Sequence, residues 1–262
     1  MKKAFVLILL AISLTLVSCS DDKAASDKPN KVMTPEEKAA AEAGDVDKTP
    51  IKHLGVTLDK FDPATGMAGD FKFTKDTLYD EYLFANYGSI SKNPGPNGEK
   101  EASPQIELLL PLGTKVHATV DGKIFDIKKL YSGDYSIQID VGDPELYYEL
   151  EHVINVTVKK GDKVKAGDVV AEVSTHNSKN NGGLGLFELG VLKHGNPPQH
   201  LCYFDHVDSK FKKELDKKIS AFYKSWEIYK GDTSIYDEAS MPTPGCNTRD
   251  AISDNNDYRV QS

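Results

Sequence analysis

Cysteine is scarce in this chain: three residues of 262, at Cys19, Cys202 and Cys246, with no Cys-x-x-Cys pair among them. That absence argues against a thiol redox centre and against a thiolate zinc site. Positive charge is in deficit as well, with 32 Lys and Arg against 40 Asp and Glu, a net charge of −8. With no basic stripe to offset it, a nucleic-acid partner is excluded, and attraction to anionic lipid headgroups is unfavourable. The chain has no P-loop, dinucleotide fingerprint or Ser-His-Asp arrangement. Aromatic residues are missing from 20–49, so that stretch cannot bury enough surface to offset its ordering entropy. Beyond Ala4 to Leu14 there is no extended apolar run, and that one is too short for a typical membrane span.

What is present begins with a targeting pattern. Lys2 and Lys3 precede the apolar run, and Leu16-Val17-Ser18-Cys19 then matches a bacterial lipobox. Residues 1–18 are expected to be a lipoprotein signal peptide and Cys19 the acylated (palmitate-bearing) first residue of the mature chain. Several acyl chains there, at roughly 0.8 kcal/mol per buried methylene, would anchor the protein stably. The expectation is an exported protein, lipid-anchored to the bacterial membrane, at the outer membrane and periplasm or at the cell surface. An ordinary secretory peptide is the alternative. In such an oxidising compartment Cys202 and Cys246 read as a disulfide pinning the Gly/Pro-rich tail to the domain, the alternative being two free thiols.

Residues 19–50 read as a flexible tether. A short helix is expected inside it: Thr34 caps, Pro35 opens, Glu37 completes a capping box and Gly44 ends it. Residues 51–207 turn β-like, opening with Phe71, Phe73, Tyr79, Tyr82, Phe84 and Tyr87, and Pro94 to Gly98 read as a loop. Strands are expected at Gln105–Leu110, Lys115–Thr119, Gly122–Lys129, Tyr135–Val141, Leu146–Glu151, Val169–Glu172 and Leu186–Val191. Repeated short strands with Gly/Asp turns imply a mainly β fold, an antiparallel sandwich or barrel-like core. One helix over 208–231 follows, capped by Asp208 or Ser209 and ended by Gly231. Phe211, Leu215, Ile219, Phe222, Trp226 and Tyr229 form its apolar stripe, which implies docking on the β-core. Residues 232–262 read as an irregular tail.

Two segments carry a family signal. Val156 to Val173 joins β-branched runs through Gly161-Asp162 and Gly167-Asp168, and Pro111-Leu112-Gly113-Thr114-Lys115-Val116 lies upstream. Together they resemble the lysostaphin-type, LytM-like zinc endopeptidases that cut peptidoglycan cross-bridges, over residues 103–191. The resemblance implies the duplicated hybrid motif fold and a layout of H-x-x-x-D, P-x-G-T-x-V, a strand histidine and H-x-H. In that layout two histidines and one carboxylate hold zinc and leave a position open for water. Laid on this chain, Ser103 falls at the first His, Glu107 at the Asp, His152 at the strand His, and Leu184 and Leu186 at the closing pair. Leucine cannot ligate a metal, so the resemblance implies a degenerate member without catalytic residues, cofactor or metal.

Glu107, His152 and Glu188 are expected to line the residual groove, or to form a surface charge cluster with no ligand. The protein would then bind peptidoglycan, or an envelope partner such as a wall hydrolase, without cleaving. The alternative is an active zinc endopeptidase using Glu107, His152 and Glu188 with His200 or Cys202. His117, His176, His194 and His206 have no recognised ligand spacing. The strand-turn units also resemble biotinyl and lipoyl carrier domains, but Lys163 and Lys165 lack the flanking pattern a carrier lysine needs.

Overall fold

The computed structural model describes residues 50–93 and 102–253. The lipobox, the tether helix and the Pro94–Gly98 loop lie outside the described residues.

The turns are local and similar. Lys159-Lys160-Gly161-Asp162 and Lys165-Ala166-Gly167-Asp168 each fold so that the aspartate side chain accepts from the first lysine's backbone N–H, at 3.0 and 2.8 Å. Gly161 and Gly167 take φ of 96° and 95°, a left-handed conformation that an L side chain resists.

In chain order the strands are β1 (Met67–Ala68), β2 (Phe71–Lys72), β3 (Phe84–Ala85), β4 (Ile106–Leu110), β5 (Lys115–His117), β6 (Gly122–Lys129) and β7 (Tyr135–Asp140). They continue with β8 (Leu146–Ile154), β9 (Lys163–Val164), β10 (Val169–Val173), β11 (Gly185–Lys193), β12 (Gln199–His200) and β13 (Ile252–Ser253). β1 and β2 pair with each other, and the rest form one antiparallel sheet in the order β13-β12-β11-β8-β7-β6-β9. β4 pairs with β11 and β3, while β10 pairs with β5 and β8. The sheet does not close into a barrel. Alternation along β4, β8 and β11 sends Leu108, Leu110, Leu150, Leu189 and Val191 into the apolar core.

The helix α1 spans Ser209–Lys230, with Asp208 accepting from Lys210 N–H at 2.9 Å and Gly231 closing it at φ 78°. Its apolar stripe does dock inward: Leu215, Ile219, Phe222, Tyr223 and Trp226 are buried. Phe222 meets Phe71 at 4.9 Å and Trp226 meets Phe73 at 5.1 Å, both edge to face. The aromatic residues ahead of β4 thus form the floor under this helix and contribute little strand.

The tail is irregular in path but anchored. Ile235, Tyr236 and Cys246 are buried, Tyr236 OH donates to the Phe84 carbonyl at 3.0 Å, and β13 pairs with β12. Cys202 and Cys246 form a disulfide, closing a separation of 44 residues. Among the described residues no helix is long and apolar enough to cross a membrane.

Candidate functional site

The site lies on the polar face of β4, β11 and β8. Residues that alternate with the core leucines put Glu107, Glu188 and Glu151 in one cross-strand row, with Glu188 opposite Glu107 on one side and Glu151 on the other. Glu149 continues on the same strand face and accepts from Ser136 Oγ at 2.7 Å and Gln138 Nε2 at 2.5 Å. Like charges placed opposite one another repel, so this row needs protons, donors or a cation.

His152 interrupts the alternation. Its φ of 58° is left-handed, and the ring follows Glu151 onto the polar side. Nδ1 lies 3.1 Å from Asp134 Oδ2, and Nε2 lies 3.5 Å from Glu188 Oε2. Asp134 sits at the β6–β7 hairpin and also accepts from Ser174 Oγ at 2.6 Å and from Ser132 Oγ. Burial opposes its ionisation, yet the bond and charge of His152 and the two hydroxyls hold its carboxyl down at about 2. His176, on the loop after β10, stacks on His152 with ring centroids 3.7 Å apart.

Beside the row is a groove of about 280 Å³. Tyr79, Asp80 and Tyr82 form one wall, Asn177, Asn180 and Asn181 the other, and Glu107, Leu109 and Leu186 the base. Burial, with help from Asp80, raises the Glu107 carboxyl, while the 2.6 Å hydrogen bond from Ser103 Oγ and the nearby His152 act the other way.

Glu188 lies opposite Glu107 across β4 and β11 and 3.5 Å from His152 Nε2, but of the three residues expected to line the groove only Glu107 does so. The structure does not bring His200 or Cys202 there: His200 is buried on β12 and Cys202 is spent in the disulfide, which removes both from the alternative ligand set. Asp134, Glu151 and His176 join the site although sequence reasoning passed over them. The available signal was Glu149-x-Glu151, two acids alternating within an otherwise apolar strand.

Residues 103–197 match the model of peptidase family M23. The match spans 95 of the 262 residues, and the chain is similar to that family over this segment. A search of curated proteins gave no match. Among solved structures, a mutant catalytic domain of the prophage-encoded M23 protein EnpA from Enterococcus faecalis is 24% identical, covering 46% of this chain and 88% of its own, with a TM-score of 0.36. The catalytic domain of the antimicrobial peptidase lysostaphin from Staphylococcus simulans is 22% identical over 44% and 79%, with a TM-score of 0.33. A zinc-containing peptidase from Vibrio cholerae is 23% identical over 48% and 39%, with a TM-score of 0.34.

The family's metal does not fit the positions where the layout would hold it. Ser103 spends its hydroxyl on Glu107, and Leu186 presents only carbon to the groove, so one carboxylate remains of three ligands.

Proposed function

We propose that this protein is a lipid-anchored envelope protein whose LytM-like domain holds a peptidoglycan peptide in its groove without cutting it. The observation that carries this reading is a groove kept open at about 280 Å³ while Ser103 and Leu186 stand where metal ligands would be. Tyr79 and Tyr82 offer faces for packing, the three asparagines offer amide donors and acceptors for a peptide backbone, and Asp80 and Glu107 attract an ammonium group. No activated water would meet the bound peptide at Leu186. Acylation of Cys19 would hold the domain beside the wall.

Co-sedimentation with purified sacculi tests this. Wild type is expected to sediment without releasing soluble fragments, and Tyr79→Ala to weaken binding by about tenfold, the scale of one good aromatic contact. Tyr79 is half exposed, so its loss spares the core. No sedimentation would sink the groove reading, and capture of a wall hydrolase instead would move the function to that partner. Release of wall fragments that a chelator stops would favour the second reading, a zinc endopeptidase with a non-standard ligand set, for which the histidine and carboxylates beside the groove are the motive.

A further inference from the structure

We infer that the outward face of α1 is a docking surface for an anionic phospholipid bilayer. Buried Leu215, Ile219, Phe222 and Trp226 fix which side of α1 meets the core. With 3.6 residues per turn, the opposite side carries Lys210, Lys213, Lys217, Ala221, Lys224 and Ile228, at steps of three and four. All six are exposed, Ile228 by 78%. The four lysines run along about 21 Å of helix at 1.5 Å per residue.

The acids of α1 are engaged elsewhere. Glu214, at the rim of the stripe, pairs with Lys218 at 3.4 Å, and Asp216 pairs with Lys212 at 2.9 Å. Glu227 accepts from the Tyr236 N–H at 3.0 Å, and Lys230 pairs with Glu81 at 2.7 Å. Lys210, Lys213, Lys217 and Lys224 have no ion pair among the described residues. The net charge of −8 argues against an anionic surface, yet it conceals this basic stripe. At physiological salt the Debye length is about 8 Å, so a surface responds to the charges nearest to it. Ile228 adds an apolar side chain at the end of the stripe, suited to the headgroup boundary.

A stripe of lysines suits any polyanion, and the path of the chain selects the bilayer. The Ile51 N–H donates to the His206 carbonyl at 3.1 Å, and the Ile51 carbonyl accepts from the Asp208 N–H at 2.8 Å. The chain from Cys19 therefore joins the domain at the N-cap of α1, two residues before Lys210. An acyl anchor at Cys19 would draw on the domain at the start of the stripe. This choice of occupant rests on the acylation proposed above, whereas the stripe itself does not.

The test is lysine acetylation, read by mass spectrometry, on the full chain as isolated from cells. The protein is mixed with vesicles of phosphatidylcholine containing about 30% phosphatidylglycerol, or of phosphatidylcholine alone. On the anionic vesicles Lys210, Lys213, Lys217 and Lys224 are expected to react at least about threefold more slowly, and exposed Lys123 and Lys163 at an unchanged rate. The protection should vanish on neutral vesicles and at about 0.5 M salt. Each Lys→Gln change in the stripe should weaken sedimentation with anionic vesicles by about fivefold, and Ile228→Ser should weaken it further. These side chains are exposed, so the variants should unfold at the wild-type Tm. No selective protection on anionic vesicles overturns the inference. Protection by sacculi or soluble polyglutamate but not by vesicles overturns it in favour of an acidic polymer or peptide. The mass of the N-terminal fragment reports the acyl group on Cys19 separately, so anchor and stripe fail separately.

Discussion

The imidazole of His176 lies flat on that of His152, with ring centroids 3.7 Å apart and planes 9° from parallel. Desolvation by burial, then the charge of His152, hold His176 down at about 4, with Asp134 opposing. The folded chain therefore keeps His176 neutral where an unfolded chain protonates it near 6.5. Between these values the unfolded state binds more protons, so stability falls as pH falls, by at most ~1.4 kcal/mol per pH unit and less for a partly exposed ring. Urea unfolding from pH 7 to pH 4 reads the slope, and His176→Asn should flatten it. An unchanged slope refutes the assignment. The depressed Asp134 carboxyl acts lower, its contribution being lost as pH falls from 3.8 through about 2.

Glu107 has the opposite sign. Its carboxyl is raised, so its contribution to stability is present at acid pH and lost as pH rises through its folded value. Glu107→Gln keeps an oxygen to accept from Ser103 and removes the charge. It should raise Tm at pH 7–8, by about 2–4 °C for each kcal/mol recovered, with the gain vanishing near pH 4. A lower Tm at neutral pH would show that the carboxylate is stabilising as it stands.

Leu186 and Glu107 share the base of the groove, and Ser103 reaches Glu107 directly. Ser103→His combined with Leu186→His should therefore recreate two imidazoles around one carboxylate. The expected result is one zinc equivalent more than wild type by elemental analysis. No increase would mean that the three positions do not converge on a common point.

The disulfide between Cys202 and Cys246 closes a 44-residue separation. Replacing both residues by serine should cost about 3–5 kcal/mol in the chain-entropy account, seen as a lower urea midpoint. Hydrogen exchange should quicken first at β13 and around Tyr236, which the bridge holds near β12 and β3. Uniform quickening across the sheet would contradict that order.

Much of the fold was legible because its signals are local. Strand positions followed from β-branched and alternating runs, and the bounds of β6, Gly122–Lys129, match the expected ones. The Asp208 cap and the Gly231 stop marked α1 at both ends. Other parts had no local signal. β8 and β11 run longer than expected: β10 and β7 pair with the end of β8 at Val153 and Ile154, β4 pairs with Gly185 at the start of β11, and β8 pairs with Leu192 and Lys193 at its end. The described part of the tail ends in a strand because β12 offers an edge, not because Ile252-Ser253 asks for one.

At the site, the chain by itself determined which groups are missing: Ser103, Leu184 and Leu186 stand at ligand-layout positions whatever the fold does. It also placed Glu188 on the face of Leu186, because strand alternation is a property of the backbone. Only the tertiary structure decided that Asp134, from a hairpin eighteen positions away, lies within hydrogen-bond reach of His152 Nδ1, and that His176 covers the ring. Those contacts depend on a left-handed turn at His152 and on loops meeting above the sheet. Such long-range packing outweighs local preference and leaves no mark in a short window of sequence.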